Sequence, residues 1–322
     1  MKSLLVLFAL GALALTFTQC NDAEEVINPS KETVKSIQEY FAENDVESEK
    51  VTFQASVGHT FTTKYGSNVT IPANAFTKPN GDPITGEVEF TMKEVYKAKD
   101  MMFSGVVPVS NGNVLNSGGQ FFMDAQADGE KLNVAEGKFV NLVIPAQGVA
   151  DNMELFLAQG GEDADSINWV VPDSVQNDTF QGGRGNFNGS FSFSSADGTY
   201  NIEMDSMGWG NIDAFMAITY FDCTFNLTGV ANLNNDNTTA FAIFKNQNSV
   251  WPVGVSGWGD ITNNVISETH LGSVPMNLLI ISVVDEQLYF AIKDFTPEDG
   301  EDYTLDLVET TQADLDALIE SL

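Results

Sequence analysis

The chain has 322 residues, with 14 Lys+Arg against 45 Asp+Glu, a formal net charge of −31 and 43% hydrophobic residues. That apolar share can build cores, so this is not a disordered acidic polymer, while the anionic excess excludes a phosphate-gripping nucleic-acid binder. Two cysteines and two histidines exclude a disulfide scaffold, a cysteine-based zinc site and histidine-rich chemistry.

The first 19 residues read as a targeting segment. Lys2 supplies a positive start, and residues 4–15 are an unbroken apolar run of 12 residues. A membrane-spanning helix needs ~20, so the run fits an export signal instead. Thr16-Phe17-Thr18-Gln19-Cys20 follows, and this resembles a bacterial lipoprotein signal, in which the cysteine thiol takes up the lipid. Gln19 and Phe17 depart from the enterobacterial pattern, and the looser pattern of Bacteroidota accommodates them. The alternative is a plain secretory signal cleaved near residue 19, with Cys20 incidental. Asp22, Glu24 and Glu25 come directly behind the cysteine and resemble the acidic signal that sends Bacteroidota lipoproteins to the cell surface. A merely solvated tether would have the same composition.

Residues 20–50 are expected to form an acidic tether with a short helix, opened by Pro29-Ser30 and carrying Val34, Ile37 and Phe41 as one apolar stripe. From residue 51 the period changes to two. Asn80-Gly81, Asn111-Gly112, Asp128-Gly129 and Glu136-Gly137 punctuate short runs at 68–71, 86–95, 119–125 and 138–144. In the second run Val88, Phe90 and Met92 face one way and Glu87, Glu89, Thr91 and Lys93 the other. Such spacing predicts an antiparallel sandwich over 51–157. Residues 158–185, acidic and glycine-rich around one strand at Trp169, read as a linker.

A second β-rich domain is expected over 186–322. Phe187, Phe191 and Phe193 alternate with polar residues, Asp197-Gly198 signals a tight turn, and Tyr200, Ile202 and Met204 alternate again, which reads as a hairpin. Further strands are expected at 214–221, 223–227, 240–244, 278–284, 288–292 and 303–308. Thr311-Gln-Ala-Asp314 resembles a capping box, and Leu315, Leu318, Ile319 and Leu322 give the closing helix an apolar face that should dock on the second domain. The fold class is therefore mainly β: two antiparallel sandwich-like domains with short N- and C-terminal helices.

Two stretches carry a resemblance. Tyr65-Gly-Ser-Asn-Val-Thr-Ile71-Pro-Ala-Asn-Ala-Phe76, followed by Gly81-Asp-Pro-Ile-Thr-Gly86-Glu-Val-Glu-Phe90, resembles a ZU5-like β-sandwich. Met207-Gly208-Trp209-Gly-Asn211-Ile-Asp213-Ala-Phe215 resembles a Gly-Trp-x-Asn-x-Asp-x-Phe stretch of uncharacterised Bacteroidota surface lipoproteins. The resemblance spans most of 51–322 and implies a surface lipoprotein, with no enzymatic role to carry over. Self-cleavage is not expected, because Met102 precedes Phe103-Ser104 where the His of a His-Phe-Ser motif would stand.

The remaining motifs point away from catalysis. Gly-x-Ser-x-Gly and His-Glu-x-x-His are absent, and Gly183-Arg-Gly185 lacks the context of a dinucleotide loop. Cys223 reads as a buried thiol acting as a small hydrophobe. Asn232, Asn234, Asn235, Asp236 and Asn237 offer oxygen ligands for calcium, but their spacing fits no EF-hand and asparagine also serves turns. Trp209 is expected in a core; Trp251 and Trp258 could stack on sugar rings or serve as core anchors. Ser166 and Ser174, each behind an aspartate and before an aliphatic residue, resemble Bacteroidota O-glycosylation sites, and Ser206 does so beside a strand. The expectation is a non-enzymatic protein held to the outer membrane by lipid on Cys20, at the cell surface or, alternatively, on the periplasmic face. It requires no metal or cofactor, and its partners are the membrane and a protein or glycan, not nucleic acid. The alternatives are an envelope hydrolase and an accessory subunit of an outer-membrane transport complex.

Overall fold

A computed structural model describes residues 34–147, 152–159, 167–172, 187–253, 260–267 and 269–322. Mainly β structure dominates, as the alternation requires. The largest sheet has eight strands. Its main path runs Glu49–Gln54, Glu87–Val95, Asn113–Ala127, Gly208–Phe215, Glu154–Gln159, Asn168–Val170, with Val109–Ser110 and Glu130–Lys131 paired onto Asn113–Ala127. A five-stranded sheet runs Ser190–Ser194, Thr199–Met204, Val140–Pro145, Asn68–Ile71, His59–Thr62. Val88, Phe90, Met92, Phe121 and Met123 of the first meet Val69, Leu142, Tyr200, Ile202 and Met204 of the second in one core.

The other sandwich lies further along the chain. Its five-stranded sheet runs Val250–Val253, Thr238–Phe244, Met276–Val284, Gln287–Phe295, Val308–Glu309, and its four-stranded sheet Ile261–Thr262, Val265–Ile266, Thr224–Thr228, Asp302–Asp306. Phe225, Leu227, Trp251, Leu278, Ile280 and Leu305 fill its core. One pairing departs from the antiparallel expectation: Thr224–Thr228 runs parallel to Asp302–Asp306, with Phe225 opposite Tyr303. The long return through the central strands delivers the chain to that edge in the same direction.

Between the sandwiches lies a third apolar layer. It is built by three helices, α1 (Ile37–Asn44), α2 (Ala98–Ser104) and α3 (Gln312–Glu320). Tyr40, Met101, Met102, Leu315 and Ile319 of the helices meet Val95, Leu115, Phe156 and Trp209 of the eight-stranded sheet, and Phe241, Leu279, Ile281 and Val283 of the facing five-stranded sheet. Both sheets are thus buried on two faces. In Met276–Val284 the even residues Leu278 and Ile280 enter the second sandwich while the odd residues Leu279 and Ile281 enter the helical layer. A strand covered on both sides needs a continuous apolar run, which is how residues 276–284 read.

Three polar contacts help to fix the helices. The Tyr40 hydroxyl donates to Asp316 Oδ1 at 2.6 Å, tying α1 to α3. Lys93 Nζ lies 2.7 Å from both Asp45 oxygens, and Ser104 Oγ donates to Asp45 Oδ1 at 2.7 Å, tying the end of α1 and α2 to the sheet. Burial, with Asp316 second, pushes the Tyr40 phenol far above its ordinary range, so it stays protonated.

Several sequence expectations need correction. Residues 34–36 are not helical: Ser36 caps α1 and accepts from the Glu39 N–H at 3.0 Å, whereas Ser30 lies outside the described residues. The signal was Ser36-Ile-Gln-Glu39, a capping-box spacing. Helix α2 was not foreseen. It is seven residues long, ends on Gly105 in the left-handed conformation, and depends on Met101 and Met102 being buried. The strand expected at 214–221 is two: Gly208–Phe215 in the first sandwich and Tyr220–Phe221, paired with Leu271–Gly272. Residues 187–215, assigned to the second domain, hydrogen-bond into the sheets of the first, because Tyr200, Ile202, Met204 and Ile212 complete its core. Helix α3 is capped by Thr311 as expected, with its hydroxyl accepting from the Asp314 N–H. It docks into the shared layer rather than on the second sandwich alone, and Leu322 stays exposed.

The shared layer predicts coupled unfolding. Phe241→Ala removes a ring that stacks on Phe41 at 5.8 Å and should cost about 3–5 kcal/mol. Urea unfolding followed by tryptophan fluorescence and far-UV dichroism should show one transition moved to lower urea. Two separated transitions in the parent protein would refute the coupling.

Candidate functional site

The most unusual local structure lies on strand Gly208–Phe215, where Trp209, Asn211 and Asp213 project from one face into the helical layer. The alternation of the Gly-Trp-x-Asn-x-Asp-x-Phe stretch is therefore strand alternation. Gly210 faces the sandwich core, where a Cβ would lie 2.3 Å from the Phe121 ring. That close approach requires glycine.

Alongside it, strand Asn113–Ala127 carries a bulge. Ile212 pairs with Gly119 but Asp213 pairs with Ser117, so Gly118 is the extra residue. Gly119 has φ +134°, and a Cβ there would fall 2.6 Å from the Tyr96 ring. The bulge frees backbone groups that need partners. Asn248, in the turn before Val250–Val253, supplies them. Its Nδ2 donates to Tyr96 O at 2.7 Å and Ser117 O at 2.8 Å, its carbonyl accepts from the Ser117 N–H at 2.9 Å, and its own N–H donates to Asn116 Oδ1 at 2.9 Å. One asparagine from the second sandwich thus closes a backbone defect in the first.

Polar side chains gather on both faces of this bulge. On the helical side, Ser117 Oγ donates to Asn211 Oδ1 at 3.0 Å and Asn211 Nδ2 donates to Asp213 Oδ2 at 2.5 Å. Gln120 is directly opposite Asn211 and shares its face. Asp213 is 0% exposed and Gln120 1%. Asp213 Oδ1 and both amide atoms of Gln120 have no hydrogen-bond partner. Burial pushes the Asp213 carboxyl well above the usual carboxylate range, against the opposing pull of the neighbouring Ser117 and Asn211 side chains. On the sandwich side, Glu94 Oε1 accepts from Ser67 Oγ at 2.6 Å and from the Tyr96 hydroxyl at 2.5 Å. Ser67 is fully buried, so this trio joins the two sheets of the sandwich and cannot meet a substrate.

The residues named from sequence fall elsewhere. Cys20, Asp22, Glu24, Glu25, Ser166, Ser174 and Trp258 lie outside the described residues. Ser206 occupies the bend between two strands, behind Asp205, which accepts from the Asn188 N–H. Trp209 and Trp251 are both buried. Neither histidine is set up as a catalytic base: His59 lies between Phe53 and Phe61, and His270 stacks on Tyr220 at 4.4 Å.

The asparagine-rich loop is built as a turn. Asn234 Oδ1 accepts from the Asp236 N–H, Asn237 Oδ1 from the Asn234 N–H, and Asn235 Oδ1 from the Ile261 N–H. Asn232 sits at φ +63°, as asparagine tolerates. Asn234 and Asn237 therefore hold the loop's own backbone, and Asn235 ties the loop to Ile261. Among the described residues no three His, Cys, Asp or Glu side chains gather to hold a metal.

A surface groove of about 510 Å³ runs between α2, α3 and the 245–248 turn, lined by Lys97, Lys99, Lys245, Asn248 and Glu320. Lys97 and Lys99 pair with Glu320, and Lys245 with Asp294. It presents no pair of facing carboxylates of the kind a glycosidase needs. Sequence reasoning missed Asn248 and the bulge; the Gly118-Gly119 pair at the start of the run expected over 119–125 was the available signal.

Comparison with protein-family models, with curated proteins and with solved structures yields no match to this chain.

Cys223 is 2% exposed, its Sγ donates to Glu298 O at 3.4 Å, and burial pushes its thiol up to about 11. At pH 8 it is protonated and shielded, hence unreactive. In a Cys20→Ala background, Ellman's reagent should label less than a tenth of the protein within an hour when native and all of it in urea. Rapid native labelling would contradict the buried, inert thiol.

Proposed function

We propose that this chain is a non-enzymatic, lipid-anchored envelope protein that carries a ZU5-like sandwich and presents its joined β bodies for binding or structural contact with a protein or glycan. The observation that carries the reading is Cys20, a thiol placed directly behind the apolar run 4–15 and ahead of an acidic tether. Among the described residues no helix is long and apolar enough to cross a membrane. The reading puts the protein on the outer membrane facing outward, with Asp22, Glu24 and Glu25 as the export signal and Ser166 and Ser174 as glycosylation sites.

Each acyl methylene contributes about 0.8 kcal/mol of membrane affinity, so a multiply acylated cysteine holds firmly. Cys20→Ala should move the protein from the membrane pellet to the soluble fraction after a high-salt wash. A variant that stays in the pellet would remove the lipoprotein reading.

The face of the membrane has its own test. Replacing Asp22, Glu24 and Glu25 together with Ala should leave lipidation intact but retain the protein on the periplasmic side. Protease added to intact cells should then digest the parent and spare the triple variant. Protection of both would place the parent inside, and digestion of both would discard the acids as the signal.

A further inference from the structure

The polar atoms on the helical face of the bulge have donors and acceptors that the chain does not match. Asp213 is wholly buried, and one carboxylate oxygen has no partner. Gln120, opposite Asn211 on the same face, is wholly buried with neither amide atom bonded. An orphaned buried amide costs about 1–3 kcal/mol, and a buried unpaired carboxylate more. Gln120 and Asp213 lie diagonally across the paired strands on one face, so a single ligand between them would answer both.

The chemistry of the neighbours narrows that ligand. Asn211 turns its carbonyl to Ser117 and its amide to Asp213, so carboxylate, carboxamide and hydroxyl oxygens all lie along two paired strands. Oxygen-only donors suit hard cations. Lys93 projects from the same face, but its ammonium is held by both oxygens of Asp45. The single negative charge matches a monovalent ion better than a divalent one.

We propose that Asp213, with the side-chain oxygens of Gln120, Asn211 and Ser117, binds a hard cation of sodium type, with calcium as the divalent alternative, at the joint between the sandwiches. The ion would neutralise the carboxylate and give the Gln120 carbonyl a partner. Because Ser117 also bonds Asn248 of the second sandwich, occupancy would stiffen the joint.

Thermal melting of the full mature protein in detergent tests this at constant ionic strength, about 0.3 M. Sodium chloride, or a millimolar addition of calcium chloride, should raise the midpoint by about 4 °C over tetramethylammonium chloride, as a site-bound ion stabilises by mass action. Whichever salt acts identifies the ion. Asp213→Asn, nearly isosteric and uncharged, should erase the difference. If that variant does not fold, Gln120→Leu takes its place and should cut the difference at least twofold. Equal midpoints in all three salts would overturn the proposal and leave the site to a proton or to water. Ion dependence that survives in the folded variant would overturn it too, assigning the effect to the acidic surface.

Discussion

The structure depends on one constraint: two of its sheets are apolar on both faces. A sheet covered on one side only would leave Leu279, Ile281 and Phe241, or Val95, Phe156 and Trp209, in water. At about 25 cal/mol per Å² such exposure is costly for either sandwich alone. Three short helices, none long enough to be stable in isolation, fill the space between the two outer faces. Each helix therefore exists because the layer exists, and the layer exists because both sheets require covering. Tyr40, Asp316, Lys93 and Asp45 set the helices in place through direct hydrogen bonds.

The same layer explains why a backbone irregularity sits where it does. The Ser117-Gly118-Gly119 bulge breaks the regular ladder at a point where the second sandwich can supply hydrogen bonds through Asn248. A bulge deep in a sheet is expensive unless its freed groups are satisfied. Here the satisfaction comes from a turn more than a hundred residues away in sequence, which makes the defect a specific fastening between two bodies. The polar stripe of Asn211 and Asp213 lies beside that fastening and not on an exposed surface, where a ligand-reading loop would put it.

This distribution of polarity bears on function. Ser67, Glu94 and Tyr96 have the residue types of a hydrolytic site but are sealed inside a core, while the surface groove beside α3 pairs its lysines with acids. Inward-facing polar groups serve assembly, and the outward surface is left acidic and β-rich. That division is compatible with the function proposed above, which rests on the apolar run 4–15 and Cys20.

Much of the local structure was legible from residues. Alternation and turn signals located Asn68–Ile71, Glu87–Val95, the hairpin of Ser190–Ser194 and Thr199–Met204, and Met276–Val284 within a few residues, because a half-buried strand imposes period two. The Thr311 cap was legible because it is made by atoms three residues apart. Partnership was not legible. That Thr199–Met204 pairs with Val140–Pro145, or that Thr224–Thr228 lies parallel to Asp302–Asp306, is decided by which apolar faces complete which core. Helix α2 escaped for the same reason, since a seven-residue helix is not stable by itself and forms because Met101 and Met102 are covered. So the sequence by itself determined composition class, most of the described strands and two of the three described helices, through interactions reaching a few residues. Only the tertiary structure decided the sheet order, the shared helical layer and the buried company of Asp213, because those follow from burying surfaces that are far apart along the chain.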